Sequence, residues 1–149
     1  MTTVLSPIDH LTLTVRQETE VRAPIETTFA ALLEQLGPGF DTPDGATMPL
    51  MLEAWPGGRW FRDLGNGDGH WWAVVQAIKR PTLLELSGPM FMSYPVASNI
   101  QYRLTESNGG TLITFHHLAL GLISDEHRKG VDRGWSHIHA RVRSRAEGR

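Results

Sequence analysis

Cysteine is absent from all 149 residues, which removes disulfides, thiolate metal centres and cysteine nucleophiles at once. Its absence fits a reducing compartment. No stretch approaches the ~20 apolar residues of a membrane span. The opening MTTVLSPIDHLTLTV also lacks the basic-then-apolar build of a signal peptide. A soluble cytoplasmic protein forming one domain over residues 1–149 is therefore expected, long enough to bury about two-thirds of its unfolded surface. Catalytic motifs are equally scarce. There is no H-E-x-x-H and no G-x-S-x-G, and the G-x-G-x-G of residues 65–69 lacks the strand-to-helix setting of a dinucleotide loop. His116 and His117 point to opposite faces of a strand, and His137 and His139 sit about 200° apart around a helix, so neither pair chelates. No metal or cofactor is expected.

Charge of one sign is missing overall, at −2 net, but it is unevenly placed. Seven of the fourteen Lys/Arg lie from Arg128 onward, with only Asp132 and Glu147 against them, leaving the body acidic. Cations near a helix C-terminus complement its dipole, and that reading leads over a nucleic-acid patch.

What is abundant is tryptophan in one place. Four of the five (Trp55, Trp60, Trp71, Trp72) fall within EAWPGGRWFRDLGNGDGHWWAVV, residues 53–75. Around them, alternation in LTLTVRQETEV predicts a first strand over 11–21. Pro24 opens a short helix carrying Phe29, Leu32, Leu33 and Leu36, which GPGF stops. Strand signals follow at 48–55, 59–64, 70–80, 82–87, 97–106 and 111–120, punctuated by Gly/Pro/Asn turns. Ser124 caps a last helix whose Val131, Trp135, Ile138 and Val142 form one apolar stripe.

Turn chemistry then assigns faces. A Gly57-Gly58 turn sets Trp55 against Trp60 and Glu53 against Arg62. Leu64 opposite His70 sets Arg62 against Trp72. Glu53, Trp55, Trp60, Arg62, His70 and Trp72 then share a face, with Trp71 on the other. An Asn108-Gly109 turn pairs Leu104 with Ile113, Tyr102 with Phe115 and Ile100 with His117, turning Tyr102 and His117 inward. A slip of one residue would reverse each assignment. Gly134, beside Trp135, suggests a neighbouring backbone too close for a Cβ.

VRAPIETTFAAL, the PGGRW turn, the WWAVVQAIKRPTLLEL run, GGTLITFHH and the terminal Gly134-Trp135 together resemble the START-like helix-grip superfamily. The branch most similar is that of homologues of the activator of the heat-shock 90 ATPase. The resemblance implies an α+β fold: a curved antiparallel sheet of six to seven strands around a long C-terminal helix, with a cavity between them that holds an apolar ligand in many relatives. The long loop at 37–47 and a terminal helix running out soon after Val142 depart from the pattern, and a shortened helix leaves the cavity more open. The tryptophans are then cavity wall, with Glu53, Arg62, Tyr102 and His117 as its polar points and Trp135 as its floor. They also suit plain core. Three functions follow: a binding protein for a small hydrophobic or amphipathic molecule, which leads; a cyclase or hydrolase using Glu53 and His117; and a co-chaperone-like or homodimerising module contacting partners through Met90, Phe91, Met92 and Tyr94. The segment carrying these four also suits a loop over the cavity mouth. Neither a nucleic-acid nor a membrane partner is expected.

Overall fold

A computed structural model describes residues 7–149; residues 1–6, part of the stretch read for a signal peptide, lie outside it. A 3₁₀ turn at Pro7–Leu11 leads into β1 (Thr12–Val21), α1 (Ile25–Leu36) and β2 (Met51–Leu52). Then come β3 (Arg59–Gly65), β4 (Asp68–Lys79), β5 (Leu83–Gly88), β6 (Val96–Ser107), β7 (Gly110–Gly121) and α2 (Asp125–Ala146). The seven strands form one curved antiparallel sheet in the order β1-β7-β6-β5-β4-β3-β2, so the first strand closes against the last. The expected α+β helix-grip architecture is present.

Each element follows from its sequence. Asn108 and Gly109 both take positive φ (50° and 79°), as a two-residue hairpin turn demands, and fix Leu104↔Ile113, Tyr102↔Phe115 and Ile100↔His117 as expected. α1 buries Phe29, Leu32 and Leu36 on one side. α2 starts at Ser124, whose hydroxyl accepts the His127 N–H, and buries Val131, Trp135, Ile138, His139 and Val142 against the sheet. It continues to Ala146, one turn beyond Val142.

Three expectations around the tryptophans need correction. The turn after β2 is centred on Pro56-Gly57 instead of Gly57-Gly58: the Gly58 N–H donates to the Trp55 carbonyl at 2.8 Å and Gly57 takes φ +83°. Proline at the second position and glycine at the third suit a type II turn. Leu52 therefore opposes Trp60, Met51 opposes Phe61, and only residues 51–52 of the predicted 48–55 are strand. Secondly, a bulge inserts Trp72 into β4, so that Trp60 faces Ala73, Phe61 faces Trp71 and Arg62 faces His70, not Trp72. The bulge turns Trp72 and Ala73 inward together while leaving Trp71 half exposed, as predicted for Trp71. Thirdly, Trp55 sits at the turn, 58 % exposed.

Three basic residues of the last helix are tethers. Arg128 donates to the carbonyls of His10 and Thr12, Arg141 to Asp41, and Arg145 to Gln35 and the Gly39 carbonyl. They tie α2 to the N-terminal segment, α1 and the loop after it.

Candidate functional site

Behind Trp72, toward α2, lies an open cavity of about 480 Å³. Trp72 forms one wall, packed edge-on against Phe40 (5.6 Å between ring centres) and Phe91 (5.8 Å). Trp60 is fully buried 5.1 Å behind Trp72 and holds it in place, its indole N–H donating to the Leu36 carbonyl at 2.6 Å. The long loop, through Phe40, Asp41, Thr42 and Pro43, supplies a second wall. α2 makes the floor with Gly130, Val131, Gly134 and Trp135, and extends the site from Glu126 to Ile138, about 18 Å at 1.5 Å per residue.

Of the nine residues predicted for the site, Trp72 and Trp135 line this cavity, and Trp60 buttresses it. The other six do not line it. Glu53 makes a two-point ion pair with Arg59, not Arg62, at 2.8 and 3.0 Å, and these hydrogen bonds hold its carboxyl down to about 2. Trp55 is out at its turn, and Arg62 and His70 oppose each other near the β3–β4 hairpin end. Tyr102 and His117 do point inward, but their polar atoms are spent on clamping α2 to the sheet.

That clamp has two parts. The Trp135 indole N–H donates to His117 Nδ1 at 3.0 Å, so His117 carries its proton on Nε2 and donates to the Ser98 hydroxyl at 2.9 Å. Tyr102 O–H lies 2.9 Å from Nε2 of His139, whose Nδ1 lies 2.7 Å from Gln17 Oε1. Gln17 Nε2 in turn donates to Asp132 and Ser136. Since Gln17 Oε1 can only accept, His139 donates to it and receives the tyrosine proton. Burial pushes both histidines down to about 4, with His116 adding to the shift at His117 and Asp132 opposing it at His139. Both are neutral near pH 7. A Glu53–His117 acid–base pair is accordingly ruled out, with one partner on the surface and the other saturated inside.

The cavity's polar side chains, Asp41, Thr42, Glu126, His127 and His137, are none of the nine predicted for the site. Asp41 accepts from Gln35 at 2.8 Å, from Arg141 at 3.1 Å and from His137 Nε2 at 3.2 Å. Burial works to raise its carboxyl, but the hydrogen bonds from Gln35 and His137 and the charge of Arg141 outweigh it and leave the group below its ordinary value. At the other end, His127 Nδ1 meets the Tyr94 hydroxyl at 2.7 Å. The close backbone approach expected at Gly134 is not there: a Cβ at Gly134, or at Gly130, would meet nothing within 4 Å. Of the four residues offered as a partner-contacting patch, Met90 and Met92 are buried, while Phe91 stands at the cavity mouth. Among the described residues no three His, Asp or Glu converge as a metal site, and no helix is long and apolar enough to cross a membrane.

The sequence pattern of the family described as "Activator of Hsp90 ATPase homolog 1-like protein" matches residues 22–147. The chain belongs to that family. No curated protein matches it. Among solved structures, Ara h 8.0201 is similar with a TM-score of 0.68 at 15% identity, over 93% of this chain and 99% of that one. The Bacillus halodurans protein BH1534 gives 0.67 at 22%, over 92% and 99%. The di-domain ARO/CYC StfQ from the steffimycin biosynthetic pathway gives 0.64 at 13%, over 95% of this chain and 51% of that one. At these identities the structural likeness speaks for the helix-grip fold alone.

Proposed function

We propose that this member of the activator of Hsp90 ATPase homolog 1-like family is a binding protein for a small apolar or amphipathic molecule, held between Trp72, the 40–43 loop and α2. The supporting observation is the cavity itself. Its volume falls within the ~300–1,000 Å³ usual for small-molecule sites, and its walls are apolar with a few polar groups at the ends. The absence of cysteine suits a reducing, cytoplasmic setting for this role.

Tryptophan emission provides the test, because Trp72 and Trp135 both face the cavity. Titration with a panel of fatty acids and small aromatics should give a saturable change. Replacing Trp72 by Phe should remove most of it, whereas Trp55→Phe, at a remote exposed turn, should leave it intact. A response that never saturates, or that survives Trp72→Phe and vanishes with Trp55→Phe, would overturn the assignment.

A further inference from the structure

Along β3, Arg59, Phe61 and Asp63 alternate with the buried Trp60 and so stand on the face of the sheet turned away from α2. The strand register carries that face sideways, since Phe61 opposes Met51 on β2 and Trp71 on β4. Met51 and Trp71 are each half exposed, and Phe61 is partly so. Beyond β4 the outer face turns polar: Ser87 donates to Gln76, and Asn99 and Gln101 donate to Glu85. The apolar row is therefore a bounded patch at one edge of the sheet, and nothing among the described residues covers it. Such a patch marks a contact surface.

The charges around the row say what fits it. At one end Arg59 lies over the Phe61 ring, 4.5 Å from its centre, bound to Glu53 through Nε and one terminal nitrogen. Its other terminal nitrogen is free among the described residues. Arg80 adds a second cation at this end, held against the Ala54 carbonyl at 2.7 Å with no carboxylate partner among the described residues. At the other end stand Asp63, on the same face, and Asp68 at the hairpin turn, while Arg62 points to the opposite face, across from His70. One end is net positive, the other net negative, and the middle is apolar. A surface of that kind complements itself when turned end for end.

We propose that this row is a contact between two copies of the chain, related by a two-fold axis that runs along the row, across the strands. Met51, Phe61 and Trp71 then each meet their own counterpart, and Arg59 of each copy faces Asp63 of the other. The other face-to-face axis, along the strands, would set Arg59 over Arg59 and Asp63 over Asp63, which like-charge repulsion rejects. Three side chains and a charged rim fall short of the ~800 Å² per partner of a standard interface, so the dimer is weak and depends on concentration. The bulge in β4 puts Trp71 on this face while Trp72 faces the cavity, so pairing leaves both cavities open on the far sides of the two sheets.

Sedimentation velocity of the full chain, from micromolar to near-millimolar concentration, tests this. The weight-average mass should climb from 16.6 kDa toward twice that value. Trp71→Glu should hold it at the monomer mass. Arg59→Asp and Asp63→Arg should each weaken self-association about tenfold or more, because each sets like charges together twice. An equimolar mixture of these two variants should restore it, since in the mixed pair the two reversed charges meet each other and the two unchanged ones do the same. A folding defect in either variant would not recover in this way. A chain that stays monomeric throughout, or a dimer that Trp71→Glu leaves intact, would overturn the proposal. Weakened variants that do not recover on mixing would rule out this axis and overturn it too. A monomeric chain that binds vesicles of phosphatidylcholine and phosphatidylglycerol, with binding lost in Trp71→Glu, would give the face to a lipid surface instead.

Discussion

Between pH 7 and pH 5 the protein should lose several kcal/mol of stability, before most carboxylates begin to titrate. The source is the clamp that holds α2 on the sheet. His117 and His139 are held at about 4 in the folded chain, against the ordinary 6.5. As the pH falls below 6.5, the unfolded chain takes up protons at both positions and the folded chain does not. Their contribution is thus fully present above about 6.5 and disappears as the pH approaches 4. At about 1.4 kcal/mol for every tenfold loss of proton affinity, each histidine contributes up to ~3 kcal/mol across that window, a large share of the ~5–15 kcal/mol that stabilises a typical domain. His116, also lowered by burial and by the nearby Arg16, acts in the same direction. Urea midpoints measured at half-unit steps of pH would show the slope. His139→Gln, which keeps hydrogen-bonding capacity toward Tyr102 and Gln17 but cannot titrate, should flatten it by about half. A midpoint that is constant from pH 7 to pH 5 would mean that these two rings are not the buried neutral groups their surroundings make them.

The second large effect is expected at Trp135. The side chain is 2 % exposed, with its ring 4.8 Å from Phe115 and nearly parallel to His139 at 6.0 Å. Truncating a buried tryptophan to alanine costs ~3–5 kcal/mol from lost packing. Here the change also deprives His117 Nδ1 of its donor in a dry site, which adds ~1–3 kcal/mol. Trp135→Ala should therefore leave a chain barely folded at neutral pH, while Trp71→Ala, on the outer face and 50 % exposed, should cost less than about 1 kcal/mol. Equal losses of urea midpoint at the two positions would contradict the division of the tryptophans between faces. Trp135→Phe offers a finer reading, because it keeps most of the ring contacts and removes only the indole donor.

Much of the fold is legible in the sequence because local chemistry leaves few choices. Asn108-Gly109 admits one hairpin register, and from it the inward placement of Tyr102 and His117 follows without error. Pro56-Gly57-Gly58 admits two, since either adjacent pair can be the turn's centre, and the structure takes the one that pairs Glu53 with Arg59. The bulge at Trp72 is harder to foresee. Strict alternation puts Trp72 and Ala73 on opposite faces, and only the doubled inward burial in the folded sheet reveals the extra residue. The site is less legible still. Phe40, Asp41 and Thr42 belong to an irregular loop, and such a segment has no periodicity from which to read an inward face. His139 does leave a signal, four residues after Trp135 and so on the same apolar stripe, but one that pairing it with His137 as a possible chelate obscures. Gly130 and Gly134 leave another, their spacing of four putting both on one side of the helix, with nothing in the sequence to say whether that side is crowded or empty.

The placement of β1 beside β7 also sets the order in which the chain can be assembled during synthesis. β2 to β7 form an uninterrupted run of neighbours, each able to pair with the strand just before it as it emerges. β1 has no such partner, because the residues that bond to Thr12–Val21 lie in Thr111–Leu120, roughly a hundred positions later. At about 5–20 residues per second, the first strand to leave the ribosome waits roughly five to twenty seconds for the last. Throughout that interval Val15 and Val21, destined for the core, have no sheet to lie on. The charged residues that alternate with them, Arg16, Glu18 and Glu20, keep the waiting segment from pairing with strands of other chains.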